Sequence, residues 1–312
     1  MRFVTSGIVA GLAAVLAAPV FAKDELPGEV AKHEGAVVLE PSSPWNIDYG
    51  ESRCRLARVF TSGEERFALF FEQGSPSEQF SVTFGGPEVD RMTRPGDIFI
   101  GMKRDKPMTK YDAFGRAELP DFGPAIIFQT TLVEDDPSED ENAGKSSKRK
   151  SDERKQGQLL HVDLEEAGRI DQIVLRRGKR ILSVETGNMK APFEALNQCA
   201  KSLLTIWGLD ADQHDLFTPV QWQNKMSVIR RIQDRYPSKA LRRGEQGIFR
   251  MRIIVEADGT MSECHINNAT LTNSLASPAC QEMRRARFEP ALDANGEPMR
   301  SYFMTRIIYM TS

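Results

Sequence analysis

The tightest constraint in the chain lies between Ile248 and Asn267. Phe249, Met251, Ile253 and Val255 alternate with Arg250, Arg252 and Glu256, the period of a strand with one buried face. Asp258-Gly259 follows, a pair favoured in tight hairpin turns because it tolerates positive φ. Thr260 to Asn267 is then the return strand, with Cys264 and Ile266 on the apolar face. Ser277-Pro278 reads as N-cap and first position of a helix that carries Ala279, Met283 and Ala286 in a stripe, with Cys280 beside it. Asn295-Gly296 turns the chain into a last strand, Ser301 to Met310. These apolar faces agree only if the helix packs over the sheet, which brings Cys280 down onto Cys264. The bridge closes 280 − 264 = 16 residues and contributes about 3 kcal/mol in a chain-entropy account.

The chain has 4 cysteines, so two bridges with three possible pairings are open to it. With Cys264–Cys280 formed, Cys54–Cys199 follows by elimination and keeps each bridge within one unit. Bridges require an oxidising compartment, and the N-terminus reads as the route there. Met1-Arg2 is followed by an apolar run from Phe3 to Leu16, then by Pro19-Val20-Phe21-Ala22 ahead of the charged Lys23-Asp24-Glu25. That is the pattern of a secretory signal peptide cleaved after Ala22; left uncut, the same stretch is about long enough to anchor in a membrane. Cleavage makes the mature chain periplasmic if the source has two membranes.

Residues 23–44 are polar and proline-bearing and read as a flexible leader. From Trp45 to about 210 the pattern is β-rich. Cys54, Leu56 and Phe60 share a face broken by Arg58. Phe67 to Phe71, Phe80 to Phe84, Asp97 to Ile100, Ala125 to Phe128, Gln172 to Leu175 and Arg180 to Val184 are strand candidates between Gly/Ser/Pro turns. A solvated charged loop spans 134–157, its acidic block followed by a basic one. Over 189–207, Phe193, Leu196, Ala200, Leu203, Leu204 and Trp207 recur at helical spacing, with Pro192 in the first turn and Gly208 as the stop. Residues 211–228 form a connector. Its Asp210, Asp212 and Asp215 neighbourhood lacks the spacing and the bend glycine of an EF-hand. The fold class is therefore α+β: an N-terminal, mainly antiparallel β domain with one packed helix, then a C-terminal α-β-β-α-β domain over 229–312.

That C-terminal domain opens with an amphipathic stretch, Met226 to Tyr236, in which Met226, Ile229 and Ile232 repeat. Tyr236-Pro237 ends it, and Ser238 to Arg243 reads as one short helix before Gly244. Tyr236-Pro237, Ala240, Gly244, Gly247, the strand Ile248 to Val255, Asp258-Gly259 and Met283-Arg284-Arg285-Ala286-Arg287-Phe288-Glu289-Pro290, in that order and spacing, resemble the C-terminal domain of TonB energy transducers. The resemblance implies a periplasmic module that binds an extended peptide beside its last strand. The partner-binding residues it implies are Gln233, Tyr236, Pro237, Ser301, Phe303, Thr305, Ile307 and Tyr309. Gln233 stands three before Tyr236-Pro237, where the family has a glutamine, although Ile229 to Arg235 look helical where the family runs extended.

The expected function is a periplasmic binding protein that docks a strand from an envelope protein or an outer-membrane transporter segment. Homodimerisation is an alternative cover for the same strand. A membrane-anchored transducer is a second reading, and it lacks the long Pro-rich spacer, since the 17 prolines are dispersed. An envelope enzyme on the β domain is a third, without G-x-S-x-G, H-E-x-x-H or P-loop motifs to support it. Lys+Arg of 41 against Asp+Glu of 44 argues against a nucleic-acid partner. The 4 scattered His show no zinc-like interval, so no metal, no cofactor and no catalytic residue is expected.

Overall fold

The computed structural model describes residues 35–92, 97–111, 114–132, 156–235, 247–268 and 278–309. The stretch read as a signal peptide, most of the leader, nearly all of the segment read as a charged loop, Tyr236-Pro237, the segment 238–243 expected as a short helix, Ser277 and Met310 lie outside the described residues. Within them the fold is mixed helix and strand, a large curled N-terminal sheet followed by a smaller C-terminal unit.

The large sheet has 11 strands. In spatial order they are Thr109–Tyr111, Ile98–Gly101, Ile173–Arg177, Arg180–Val184, Val37–Pro41, Cys54–Ser62, Glu65–Gln73, Phe80–Gly85, Gly123–Thr130 and Gly115–Leu119, with Asn46–Tyr49 paired to Cys54–Ser62 off that path. Its ends approach each other. The Tyr111 hydroxyl donates to Thr130 Oγ1 at 3.0 Å, and the Tyr111 ring lies 4.8 Å from Phe128.

The leader needs correction. Val37–Pro41 is a central strand, parallel to Arg180–Val184 on one side and antiparallel to Cys54–Ser62 on the other, with Leu39 fully buried. Val37-Val38-Leu39 is too short a run to show a period, and its partners lie far along the chain.

The helix Lys190–Ile206 packs on this sheet through Phe193, Leu196, Cys199, Ala200, Leu203 and Leu204. Phe193 lies 5.0 Å from Phe71 and 5.1 Å from Phe80, and Cys199 is bridged to Cys54 with Cα atoms 5.9 Å apart. Gly208 stops the helix at φ +70°, a left-handed conformation that costs glycine nothing. Leu209 N–H bonds Leu204 O and Gly208 N–H bonds Thr205 O, a Schellman closure with Leu204 and Leu209 both buried.

In the C-terminal unit, Gly247–Val255 is the middle strand, flanked by Met261–Asn268 and by Ser301–Tyr309. The hairpin turn is one residue longer than the Asp-Gly pair alone would make. Gly259 N–H closes onto Glu256 O, and Gly259 sits at φ +81° after the turn. The Thr260 hydroxyl and amide both bond Asp258 Oδ1 and hold that carboxyl below its usual range. The helix Ala279–Met283 has Pro278, not Ser277, at its N-cap, and Cys280 is bridged to Cys264. The expected connector is woven into this unit. Thr218 bridges Leu292, Gln221–Trp222 pairs with Phe288–Glu289, and the helix Lys225–Asp234 begins inside it.

Candidate functional site

The middle strand divides the small sheet into two faces. Met251, Ile253 and Val255 enter a core with Trp222, Val228, Ile232, Met283 and Phe288. Ile254 joins the core of the large sheet instead, together with Tyr302 and Trp207. The face that alternation marks as wet is therefore covered by the β domain. The Arg252 guanidinium lies 4.4 Å over the Trp207 ring, where burial lowers its pKa against the opposing pull of Glu263. Trp207 and Tyr302 rings are 5.7 Å apart, and burial raises the Tyr302 hydroxyl well above its ordinary value. Arg300 clamps the junction: Nη1 donates to Gly208 O at 2.7 Å, Nε to Glu256 at 3.0 Å and Nη2 to Glu263 at 3.1 Å.

With both faces covered, the open backbone is at the rims. Ser301–Tyr309 is the rim strand on one side, paired along its whole length to Gly247–Val255 and to no further strand among the described residues. An unpaired rim offers alternate N–H and C=O groups to an incoming strand.

The expected site residues divide accordingly. Ser301 is fully buried, its Oγ 2.9 Å from His214 Nε2. Phe303 meets the Trp222 ring edge-on at 5.8 Å and the Phe288 ring at a tilt at 5.7 Å, and Ile307 packs on the same core. Thr305 is half-buried. Ser301, Phe303 and Ile307 point inward, so they are positioned to offer main-chain groups at the rim rather than side-chain contacts. Gln233 is exposed near the end of the helix Lys225–Asp234. Tyr236 and Pro237 lie outside the described residues, and for Tyr309 only the backbone is described.

What the sequence reading missed is a cleft of about 380 Å³ beside the rim strand. One wall is the turn after Glu65–Gln73, with Glu72, Gly74, Ser75, Ser77 and Gln79; the other is Arg250, Met304 and Thr305. Gln73 is buried at the base, and its Nε2 donates to Ser77 O at 2.6 Å and Gln79 O at 3.3 Å, which holds the turn in place. Arg250 Nη2 donates to Ser81 Oγ at 2.5 Å, tying the small sheet to the large one. The signal in the sequence is the arginine pair on one face of the strand, legible as a contact only once the neighbouring domain is known.

Asp210, Asp212 and Asp215 have structural partners. Asp210 Oδ1 accepts from the Asp212 and Gln213 amides, and Lys201 Nζ bonds Asp212 and Asp215.

Residues 232–311 match the family described as Gram-negative bacterial TonB protein C-terminal. The chain carries a TonB C-terminal domain. The match covers about a quarter of the 312 residues and leaves the β domain unassigned. No curated protein and no solved structure matches the chain. A TonB C-terminal domain ties the protein to the cell envelope and to interaction with envelope proteins. Among the described residues no helix is long and apolar enough to cross a membrane.

Proposed function

We propose that this is a periplasmic binding protein, exported through a signal peptide cleaved after Ala22, whose TonB C-terminal domain takes up an extended segment of an envelope partner along Ser301–Tyr309. The observation that carries this reading is the rim position of that strand in a sheet whose two faces are already covered. Backbone hydrogen bonds supply the affinity in such docking, and side-chain pockets supply the selectivity. An outer-membrane transporter segment is the partner class that the family points to.

Binding, not catalysis, is the proposed role. A groove beside the helix Lys190–Ile206 is lined by His161, Glu194, Asn197, Lys201 and Asp215, among others. Lys201 is engaged by Asp212 and Asp215, and Asn197 exchanges two hydrogen bonds with the Val162 main chain, so Lys201, Asp215 and Asn197 serve the fold.

Amide hydrogen exchange on the full mature chain tests the docking. In the free protein alternate amides of 301–309 exchange quickly, and a Thr/Val-rich peptide made to adopt an extended conformation slows them. Protection appearing elsewhere, or none at all, rejects strand addition. Protection that instead grows with protein concentration alone identifies a second copy of the chain as the occupant.

A further inference from the structure

The chain carries a net charge of −3, yet its cations are not evenly spread. Arg176, Arg177, Lys179 and Arg180 stand together at the tip of one hairpin of the large sheet. Ile173–Arg177 pairs with Arg180–Val184, Arg177 lies directly opposite Arg180, and Gly178-Lys179 makes the turn. Like charges facing each other across a strand pair work against a hairpin. They are answered only in part. Glu88 takes Arg91 at 2.7 Å and Arg180 at 3.5 Å, and Arg177 Nη1 donates to Arg91 O at 3.1 Å, so the carboxylate arrives with a further cation. Asp97 and Lys110, on the neighbouring strands, cancel each other at 3.2 Å. With Asp90 counted beside Glu88, the cations Arg91, Arg176, Arg177, Lys179 and Arg180 outnumber the carboxylates at this tip among the described residues. Lys179, at the apex, is exposed.

Beside the tip the same sheet face is apolar. Leu175, Leu182 and Val184 turn into the core, so Val174, Arg176 and Ile181 belong to the opposite face. There Phe99 and Ile181, both half-buried, pack on Met108 and Val174, and the Arg176 guanidinium lies 5.0 Å over the Phe99 ring. Val38, opposite Ser183 on the next strand, is 43% exposed. The face is an apolar strip with a cationic border. A lone carboxylate is held by donors that converge on it, whereas these cations are spread along an open face and line neither the cleft beside the rim strand nor the groove beside Lys190–Ile206. Spread charge suits a partner whose own charge is spread over a surface. A bilayer with anionic headgroups is one, and its boundary accepts both apolar side chains and long cationic stems.

We infer that this hairpin face rests on a membrane, with its Arg and Lys side chains on anionic phospholipid headgroups and the Phe99–Ile181 strip at the headgroup boundary. The inference does not depend on strand docking, because the face and the rim strand belong to different sheets.

Vesicle flotation with the full mature chain at low salt is the test. Vesicles of phosphatidylcholine mixed with phosphatidylglycerol should carry the protein upward, and vesicles of phosphatidylcholine alone should not. Salt at about 0.5 M should release it by screening exposed charges. Lys179→Gln combined with Arg180→Gln should weaken binding about thirtyfold, the scale of two basic groups beside an anionic surface. Lys225→Gln combined with Arg230→Gln removes the same charge from exposed positions of the small unit and should leave binding unchanged. Capture by the neutral vesicles as well, no capture by the mixed ones, or retention at high salt overturns the inference. An equal loss in the two double variants, or none in the hairpin variant, overturns it too. Tighter capture of soluble polyphosphate than of the vesicles, phosphate for phosphate, gives the face to a soluble polyanion and rejects the membrane.

Discussion

His214 is fully buried between the two units, with its ring 5.0 Å from Phe217 and 5.9 Å from Tyr302. Nδ1 lies 2.6 Å from the Asp210 carbonyl, which can only accept, so Nδ1 carries the proton and Nε2 accepts from the Ser301 hydroxyl. Burial lowers its pKa from 6.5, partly offset by the Asp210 carbonyl and by the charges of Asp210 and Asp215. The sign follows from linkage. Above pH 6.5 both folded and unfolded chains hold the ring neutral. Below it the unfolded chain takes up a proton that the folded chain resists, and stability falls as pH drops toward the folded-state pKa. Urea melts at a series of pH values should show wild type more stable than His214→Gln near neutrality, with the gap narrowing as the solution is acidified. A gap that is constant with pH would mean that His214 only fills space.

Arg58 shows at the same scale how much the sequence disclosed. It interrupts the Cys54, Leu56, Phe60 face, and periodicity alone reads that as a flaw in a strand. In the fold the guanidinium lies 5.5 Å over Trp45 and 5.7 Å over Phe60 and donates to Ser43 O and Thr186 O. The strand was legible because alternation is local. The reason for its exception was not, because Thr186 is remote in sequence and near only in the fold.

Among the elements, the helix Lys190–Ile206 and its bridge to the sheet matter most for stability. Cys54 and Cys199 are 145 residues apart, against 16 for Cys264 and Cys280. In the chain-entropy account the longer loop contributes about 5 kcal/mol and the shorter about 3 kcal/mol. Replacing Cys54 and Cys199 together by Ser should therefore lower the stability measured by urea unfolding more than the same change at Cys264 and Cys280. The reverse order would show that native packing, not loop closure, sets the bridges' contribution. Cys264–Cys280 could be read in advance because the hairpin and the helix over it carry clear apolar faces, and Cys54–Cys199 followed by elimination. Val37–Pro41 could not, since a strand held by parallel and antiparallel neighbours leaves no repeat in five residues.

For the whole molecule, the question is whether the two units behave as one. Trp207 is 5% exposed and supports Arg252 and Tyr302 from the small sheet, while its Nε1 donates to Glu51 O at 3.1 Å. Trp207→Ala removes that shared surface at a cost of about 3–5 kcal/mol. Calorimetry should show one cooperative transition for wild type and two for the variant, as the units melt separately. A single transition at lower temperature would assign Trp207 to the β domain alone. This covering of the second sheet face was the part of the site least visible in the sequence, because Arg250 and Arg252 alternate with apolar residues as solvent-facing positions do. An arginine stem laid across an aromatic ring and an arginine in water leave the same pattern.

The Arg300 clamp has a mechanical corollary. It grips the carbonyl of Gly208, the residue that stops a helix stapled by Cys199 to Cys54 in the large sheet. A tug on the last strand along its own axis would thus be handed through a guanidinium fork to a covalent rivet in the large sheet.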